Sequence, residues 1–212
     1  DHKRVNEGDK GKNTGGMGAY SPSRLINSEL ENKIIEKIIE PTLKGLQEDN
    51  IKYKGFLYAG LMIVNNEPYL IEYNVRMGDP ECQTILPMLN TDLLEIIEST
   101  VDEKLGNIKI KWLQKKSLCV VLCSNGYPDH YEKNIEIKNF NKINIDKNNY
   151  LFHAGTEKIN EKIFAIGGRV LNFTSLSEDY SDARKSIHEN IKKLNWNNGF
   201  YRKDIGHRVI DK

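Results

Sequence analysis

The segment YLIEYNVRMGDPE, residues 69–81, constrains the fold more than any other stretch of the chain. Successive residues of a β-strand point to opposite faces, so alternation predicts a strand with one apolar and one polar side. The polar side carries Glu72, Asn74 and Arg76 in a row, and Gly-Asp-Pro then ends the strand. We expect the other side to pack into a core, since it carries Tyr69, Ile71, Tyr73, Val75 and Met77.

The flanking patterns predict mixed α and β structure. Residues 1–23 are rich in glycine and predict a loop, and a helix should follow, capped by Ser28 with Glu31 and interrupted at Pro41. Strands 55–64 and 68–77 form a predicted hairpin, and a helix over about 91–105 should turn Leu93, Leu94, Ile96, Ile97 and Val101 inward. Beyond a boundary near residue 115, the pattern predicts strands 117–124, 134–137, 150–153, 162–165 and 169–174, then a helix capped near Ser177.

Composition excludes several function classes. The formal net charge of +1 over 212 residues argues against nucleic-acid binding through a strongly basic face. No apolar run approaches the roughly 20 residues needed to span a bilayer, so we expect no membrane segment. Cys82, Cys119 and Cys123 lack a CxxC pair, which is typical of a reducing cytoplasm, and the shared parity of Cys119 and Cys123 on an apparent strand indicates that these two are buried. A start at Asp-His-Lys-Arg without methionine suggests a piece of a longer protein.

Four motifs could carry chemistry, and each has a plainer alternative. Glu72 and Asn74 offer two hard oxygen ligands for Mg²⁺, or form a polar stripe on an edge strand. NTGGMGAYSP, residues 13–22, could bind an anion through its backbone N–H groups, or be a flexible loop. Asp1, Lys3 and Arg4 could contact substrate or be surface charges, and His153 and Arg169 could bind a sugar phosphate or flank glycine turns.

Taken together and in order, these motifs resemble the glycinamide ribonucleotide synthetase (phosphoribosylamine–glycine ligase) family of ATP-grasp enzymes. The resemblance rests on DHKRV, NTGGMGAYSP, GFLYAGLMI, IEYNVRMGDPE, FHAGT, GGRVL and RKDIG, and it runs from residue 1 to about 206. It implies an α+β fold, in which residues 1–115 are the C-terminal part of the ATP-grasp domain, an antiparallel sheet with flanking helices. Residues 116–212 would be the small, mostly β C-terminal domain with a helix.

The resemblance also implies an activity. ATP would phosphorylate glycine, and 5-phosphoribosylamine would attack the glycyl phosphate, giving glycinamide ribonucleotide, ADP and phosphate in purine biosynthesis. ATP and Mg²⁺ (or Mn²⁺) would be required. The partner of this chain would be the missing N-terminal portion of the same enzyme, and the chain alone would be inactive or very weak.

Roles carry over from the family onto the matching residues. Glu72 and Asn74 would hold the metal, with Arg76 stabilising the transferring group or the glycine carboxylate. The stretch Asn13, Thr14, Gly15, Gly16, Met17 and Gly18 would donate backbone N–H groups to the acyl phosphate. Asp1 and Lys3 would join that site, and Asp79 and Glu81 would fix the metal geometry or bind an amine.

Two alternatives stay open. Another ATP-grasp ligase or carboxylase would share the Glu/Asn metal chemistry. A catalytically incomplete fragment would act only as a binding module. Many ATP-grasp enzymes carry a further acidic ligand on the preceding strand, but GFLYAGLMIV has no carboxylate, so the resemblance does not extend to a second metal site.

Overall fold

A computed structural model describes residues 1–210 and gives mixed helices and antiparallel sheets. The α-helices of this range are α1 (Ser28–Ile34), α2 (Glu40–Glu48), α3 (Glu81–Ile85), α4 (Leu93–Val101), α5 (Tyr180–Ile191) and α6 (His207–Ile210). Its strands are β1 (Arg4–Asn6), β2 (Lys10–Asn13), β3 (Gly18–Ser21), β4 (Tyr58–Val64), β5 (Glu67–Asn74), β6 (Lys116–Ser124), β7 (Ile135–Ile137), β8 (Asn149–His153), β9 (Thr156–Ile159), β10 (Lys162–Ala165), β11 (Arg169–Ser177) and β12 (Gly199–Phe200).

The chain divides into two compact units. The first unit combines residues 1–22, 79–88 and 113–210, and the second combines residues 23–78 and 89–112. The glycine-rich segment thus belongs to the same compact unit as the C-terminal part of the chain. The domain boundary expected near residue 115 stays a prediction.

The first unit is built on β6, whose sequence KSLCVVLCS is buried from Ser117 to Ser124. A strand with both faces covered reads as a continuous apolar run, and β6 follows that rule. It pairs antiparallel with β11 on one edge and with β3 and β12 on the other, while β8 extends the sheet beyond β11. The predicted loop over residues 1–23 is therefore wrong in part, because β1, β2 and β3 lie within it.

Helix α5 packs an apolar stripe against this sheet, and Tyr180, Ala183 and Ile187 are buried there as expected. The cap that the sequence places near Ser177 is Asp179. Strand β11 continues through Ser177, and Asp179 caps the helix by accepting a hydrogen bond from the Ser181 N–H. A smaller sheet of order β7–β10–β9 completes the unit, and its strand β9 was not predicted.

In the second unit, α1 begins at Ser28 and is capped by the residue before it. Asn27, not Ser28, accepts the capping hydrogen bond from the Leu30 N–H, so the predicted Ser28/Glu31 capping box is wrong. The interruption expected at Pro41 is present as a π-helical segment, Ile35–Ile39, after which α2 carries Pro41 in its first turn. Because proline has no backbone N–H, it cannot donate the hydrogen bond that a regular α-helix would make at that position.

The apolar stripe of α4 is only partly covered. Ile96 is buried, whereas Leu94, Ile97 and Val101 are exposed, so their predicted inward orientation is wrong. Helix α4 is also shorter than predicted, since Asp92 caps it and it ends at Val101. Periodicity identifies an apolar stripe on a helix, but it cannot say whether the covering elements are part of this chain.

The α+β class is confirmed. No helix among residues 1–210 is long and apolar enough to cross a membrane. The three cysteines are free, with Cys119 and Cys123 buried, as the sequence predicts.

Candidate active site

The hairpin of β4 and β5 positions the predicted metal ligands. Its turn consists of Asn65 and Asn66, whose φ angles of 51° and 61° place both in the left-handed region. Such two-residue turns match the twist of paired strands and favour asparagine. Strand β5 ends at Asn74, so Val75, Arg76 and Met77 lie beyond it, which corrects the predicted strand end.

A β-bulge at Ile71 rearranges the two faces of the hairpin. Leu70 pairs with Leu61 and Glu72 pairs with Gly60, which leaves Ile71 without an opposite residue. A bulge inserts one residue into one strand and so shifts the side-chain alternation beyond it. Glu72 and Asn74 consequently share their face with Tyr69, and the predicted separation of these residues by parity is wrong.

The face that carries Tyr73 is the covered one. The Tyr73 hydroxyl lies 2.5 Å from Thr42 Oγ1 and donates to the Ile38 carbonyl at 3.2 Å, so it contacts the helical segment before and within α2. Tyr69, Ile71 and Val75, which the sequence places in a core, are exposed at 56%, 64% and 74%. The reason is physical: β4 and β5 form a two-stranded sheet among the described residues, and its helical contacts come from α1 and from Thr42 of α2.

Glu72 and Asn74 lie side by side. The Asn74 amide donates to Glu72 Oε1 at 3.1 Å. The second carboxylate oxygen and the amide oxygen make no hydrogen bond to the described residues, so two hard oxygens are available to a cation. Gly60 is paired opposite Glu72, and a Cβ there would stand 3.1 Å from the Glu72 Cγ. The missing side chain at residue 60 leaves room for the carboxylate, and the donor set fits Mg²⁺.

Arg76 is exposed beyond the strand, and its Nη1 donates to the Met77 carbonyl at 2.8 Å. Its other guanidinium donors make no bond to residues 1–210 that would compete with an anion. Glu72, Asn74 and Arg76 all belong to the second unit, and the other predicted site residues belong to the first.

In the first unit, the glycine-rich segment is held mostly by its own chain. The N–H groups of Thr14 and Met17 donate to the carbonyls of Lys3 and His2. The N–H of Gly15 donates to the Tyr127 hydroxyl at 3.0 Å, and that of Gly16 donates to Thr14 Oγ1 at 3.0 Å. The predicted row of free N–H donors is therefore not present in this conformation.

Two of its glycines are required sterically. Gly16 has a φ of 128°, and a Cβ there would stand 2.6 Å from the Pro80 Cδ. Gly18 has a φ of 158°, and a Cβ would stand 2.5 Å from the Cys119 carbonyl oxygen. Glycine adopts these backbone angles at no steric cost, and no other residue would fit. Asn13 ends β2 opposite Arg4, and Met17 is fully buried.

Two acidic residues near this segment, Asp1 and Asp79, form ion pairs. Asp1 lies 2.6 Å from Lys3 Nζ, and Lys3 is half exposed while Asp1 is not. Asp79 forms an ion pair with Arg169 at 3.0 Å and accepts from the Gln83 amide at 3.1 Å. Glu81 opens α3 and is half-buried. Arg169, which the sequence left undecided, thus binds a carboxylate of the chain itself.

Sequence reasoning missed an ionic cluster in which the buried His2 and Arg202 contact the half-buried Asp9 and Asp204. Arg202 is 1% exposed, and its guanidinium donates to both oxygens of Asp204, to Asp9 and to the Arg4 carbonyl. Burial alone would raise the pKa of Asp9, but hydrogen bonds from Arg208 and Arg202 hold it well below its ordinary value. The motif RKDIG contained the signal, because an arginine and an aspartate two residues apart can pair.

The same cluster has the composition of a metal site. Ligand atoms of His2, Asp9 and His207 lie within 4.8 Å of one another. Both carboxylate oxygens of Asp9 already accept from arginine, at 2.9 Å from Arg202 and 2.6 Å from Arg208. Two guanidinium groups on the only carboxylate of the trio oppose a further cation.

Comparison with known proteins assigns these features to a family. The ATP-grasp (A) domain of phosphoribosylglycinamide synthetase matches residues 1–82, and the C domain of the same enzyme matches residues 117–208. The chain belongs to the phosphoribosylglycinamide synthetase family. The A-domain match includes Glu72 and Asn74, and the C-domain match includes Arg169 and Arg202.

Individual relatives agree with this assignment. A phosphoribosylamine–glycine ligase of Caldanaerobacter subterraneus subsp. tengcongensis is 44% identical over 97% of this chain, which covers 48% of that protein. The crystal structure of the Thermotoga maritima phosphoribosylamine–glycine ligase superposes with a TM-score of 0.81 at 36% identity, over 97% of this chain and 50% of that one. The biotin carboxylase subunit of a pyruvate carboxylase has a TM-score of 0.60 at 10% identity, over 95% of this chain and 42% of that one, which shows a shared fold alone. The chain spans about half the length of the curated relatives that it matches.

Proposed function

We propose that this chain is the C-terminal portion of a phosphoribosylamine–glycine ligase. The observation that carries the proposal is the match of both domains of this family, in order, along one chain. Residues 1–115 would be the C-terminal part of the ATP-grasp domain and residues 116–212 the C-terminal domain. The partner would be the N-terminal half of the same enzyme. The free thiols support a reducing, cytoplasmic location.

The reaction joins glycine to 5-phosphoribosylamine. ATP transfers its γ-phosphoryl group to the glycine carboxylate, which gives glycyl phosphate and ADP. The amine of 5-phosphoribosylamine then attacks the glycyl carbonyl. A C–N bond forms, the bond to phosphate breaks, and the amine loses a proton, leaving glycinamide ribonucleotide and phosphate.

Glu72 and Asn74 would hold the divalent cation, Mg²⁺ or Mn²⁺. Their adjacent oxygens and their position on an exposed face of the hairpin support this role. Bound there, the cation would neutralise charge on the transferring phosphoryl group. The exposed guanidinium of Arg76 would bind an oxygen of that group or of the glycine carboxylate.

The glycine-rich segment would contact the acyl phosphate through Gly16. Its N–H group donates to the Thr14 hydroxyl, and a hydroxyl acceptor can be exchanged for a phosphate oxygen at little cost. The N–H groups of Thr14, Gly15 and Met17, bonded to backbone carbonyls and to the Tyr127 hydroxyl, would hold the segment in place. Asp1, Lys3, Asp79 and Glu81 would complete this part of the site.

A carboxylase of the same fold is the second candidate, and only the low-identity structural likeness favours it. Full-length protein should release ADP when given ATP, Mg²⁺, glycine and 5-phosphoribosylamine, and not when bicarbonate replaces glycine. Mass spectrometry should detect glycinamide ribonucleotide. ADP release that depends on bicarbonate and ignores glycine would overturn the proposal. The isolated 212 residues should show little or no turnover.

A further inference from the structure

The motifs FHAGT and GGRVL have no role in the function proposed above, although both contain glycines in a tight arrangement. The N–H of Gly155 donates to the Arg169 carbonyl at 3.0 Å. A Cβ on Gly155 would stand 2.6 Å from that same oxygen and 2.6 Å from the Gly167 Cα. The two glycines therefore allow two backbone segments to touch where β11 begins, which fixes the position of Arg169.

From that position Arg169 reaches two separate segments. Its Nη1 donates to the Gly15 carbonyl at 3.1 Å and to the Asp79 carbonyl at 2.8 Å. Its Nη2 donates to Asp79 Oδ2 at 3.0 Å. A Cβ on Gly15 would stand 2.9 Å from the Arg169 Cζ, so the guanidinium packs directly on that glycine.

Tyr127 holds the peptide unit on the other side of the Gly15 Cα. Its hydroxyl accepts from the Gly15 N–H at 3.0 Å. Its ring lies over Gly168, where any Cβ would overlap it, and meets the Tyr131 ring edge-on at a centroid distance of 6.5 Å. Gly15 is thus hydrogen-bonded through its N–H to Tyr127 and through its carbonyl to Arg169.

Arg169 also orients the Asp79 carboxylate. Asp79 Oδ2 pairs with Arg169, and Asp79 Oδ1 accepts from the Gln83 amide at 3.1 Å. These two bonds favour one orientation of the carboxylate plane. Arg169 therefore couples the conformation of the glycine-rich segment to that of the turn before α3.

We propose that Arg169 and Tyr127 are positioning residues, which lock the two peptide units that flank the Gly15 Cα, and the Asp79 carboxylate, into the geometry needed to shield the glycyl phosphate. The inference rests on the proposed function. In it, neither residue contacts the reacting atoms. A loosened segment would admit water, which would hydrolyse glycyl phosphate to glycine and phosphate, so that ATP is consumed without product.

The test uses full-length protein carrying Tyr127→Phe, with Tyr131→Phe as the matched control. Tyr127→Phe removes the acceptor for the Gly15 N–H and keeps the ring over Gly168. We expect glycinamide ribonucleotide formation to fall about tenfold, since small misplacements of a catalytic segment cost this much or more. The KM for ATP should stay within about twofold, and ADP released per product should rise above one.

Arg169→Lys should show the same uncoupling more strongly, because lysine keeps the charge and loses the fork that bridges Gly15 and Asp79. Tyr131→Phe should behave as the unsubstituted enzyme. A ratio of ADP to product that stays at one in both variants would overturn the inference, whether or not their thermal stability falls.

Failure of the proposed function would look different. In that case the unsubstituted protein would show no glycine-dependent ADP release at all. Amide hydrogen exchange would then test the hydrogen bond between Gly15 and Tyr127 directly: exchange at Gly15 should be at least about tenfold faster in Tyr127→Phe than in Tyr131→Phe. Equal exchange rates would show that the Tyr127 hydroxyl does not hold the Gly15 N–H.

Discussion

Replacing Arg202 by methionine should strongly destabilise the first unit. The guanidinium is 1% exposed and makes four hydrogen bonds, at 2.8 and 2.7 Å to Asp204, 2.9 Å to Asp9 and 3.0 Å to the Arg4 carbonyl. Methionine fills similar volume but leaves Asp9 and Asp204 without the guanidinium that joins them. Removing one member of a buried ion pair costs about 3–5 kcal/mol.

Arg208→Met is the matched control. Arg208 binds the same Asp9 carboxylate at 2.6 Å, but its side chain is 47% exposed. An exposed ion pair contributes about 0–1 kcal/mol. The two substitutions remove the same chemical group from the same acidic partner, so the difference between them measures the effect of burial.

The assay is urea denaturation followed by tryptophan fluorescence. The sequence has two tryptophans, Trp112 and Trp196, and Trp196 packs against the core of the first unit. In a Trp112→Phe background, the signal therefore reports on that unit. Arg202→Met should lower the midpoint by roughly 2 M urea for a slope near 2 kcal/mol/M. Equal, small losses in both variants would refute the conclusion that Arg202 holds a buried network.

Two further predictions concern titratable side chains. Burial raises the pKa of Cys119 and Cys123 to about 12. Iodoacetamide at pH 8 should therefore label at most Cys82 in the native protein. Rapid labelling of Cys119 and Cys123, detected by mass spectrometry, would contradict their burial. Burial lowers the pKa of His2 to about 3 in the folded protein. As pH falls, the unfolded chain therefore binds a proton at His2 while the folded protein does not. This difference should lower the free energy of unfolding by about 1.5–2 kcal/mol between pH 6.5 and pH 5. His2→Gln keeps an acceptor for the Gly206 N–H and should flatten this pH dependence, measured by denaturation at each pH; an unchanged slope would contradict the assignment.

The fold was predictable where the structure of an element depends on its local sequence. The continuous apolar run of β6 and the stripe on α5 depend on local sequence, and both are found close to where they were expected. The caps were harder, since Asn27 and Asp179 each lie one or two residues from another residue that could cap equally well. Capping strength differs little among Asn, Asp and Ser, so the sequence leaves the choice to the surrounding chain.

The hairpin shows a limit of a different kind. Alternation of apolar residues predicted one buried face of β5, but the bulge at Ile71 moves Tyr69 to the side of Glu72. A bulge is set by pairing across strands, and the sequence of one strand does not contain that information. The exposure of Ile71 and Val75 was equally unpredictable, because burial depends on elements outside the strand.

The candidate site was predictable as a set of residue types and not as a set of contacts. Glu72 and Asn74 are neighbours as expected, joined by a 3.1 Å hydrogen bond. The engagement of the Gly15 N–H by Tyr127, 112 positions away, could not be inferred from a glycine-rich motif. Long-range contacts of this kind decide which donors are free, and they appear only in three dimensions.

The central claim is that Glu72 holds the cation that the ligase reaction requires. The most direct test is the glycine-dependent release of ADP by full-length protein carrying Glu72→Gln, beside a Glu67→Gln control on the same strand. Glu67 pairs with Lys33 and Lys37 on the surface and should be dispensable for turnover. We predict that Glu72→Gln lowers turnover at least about a hundredfold, or about 2.7 kcal/mol of barrier, and raises the Mg²⁺ concentration for half-maximal activity. Turnover and Mg²⁺ dependence equal to those of the control would contradict the account.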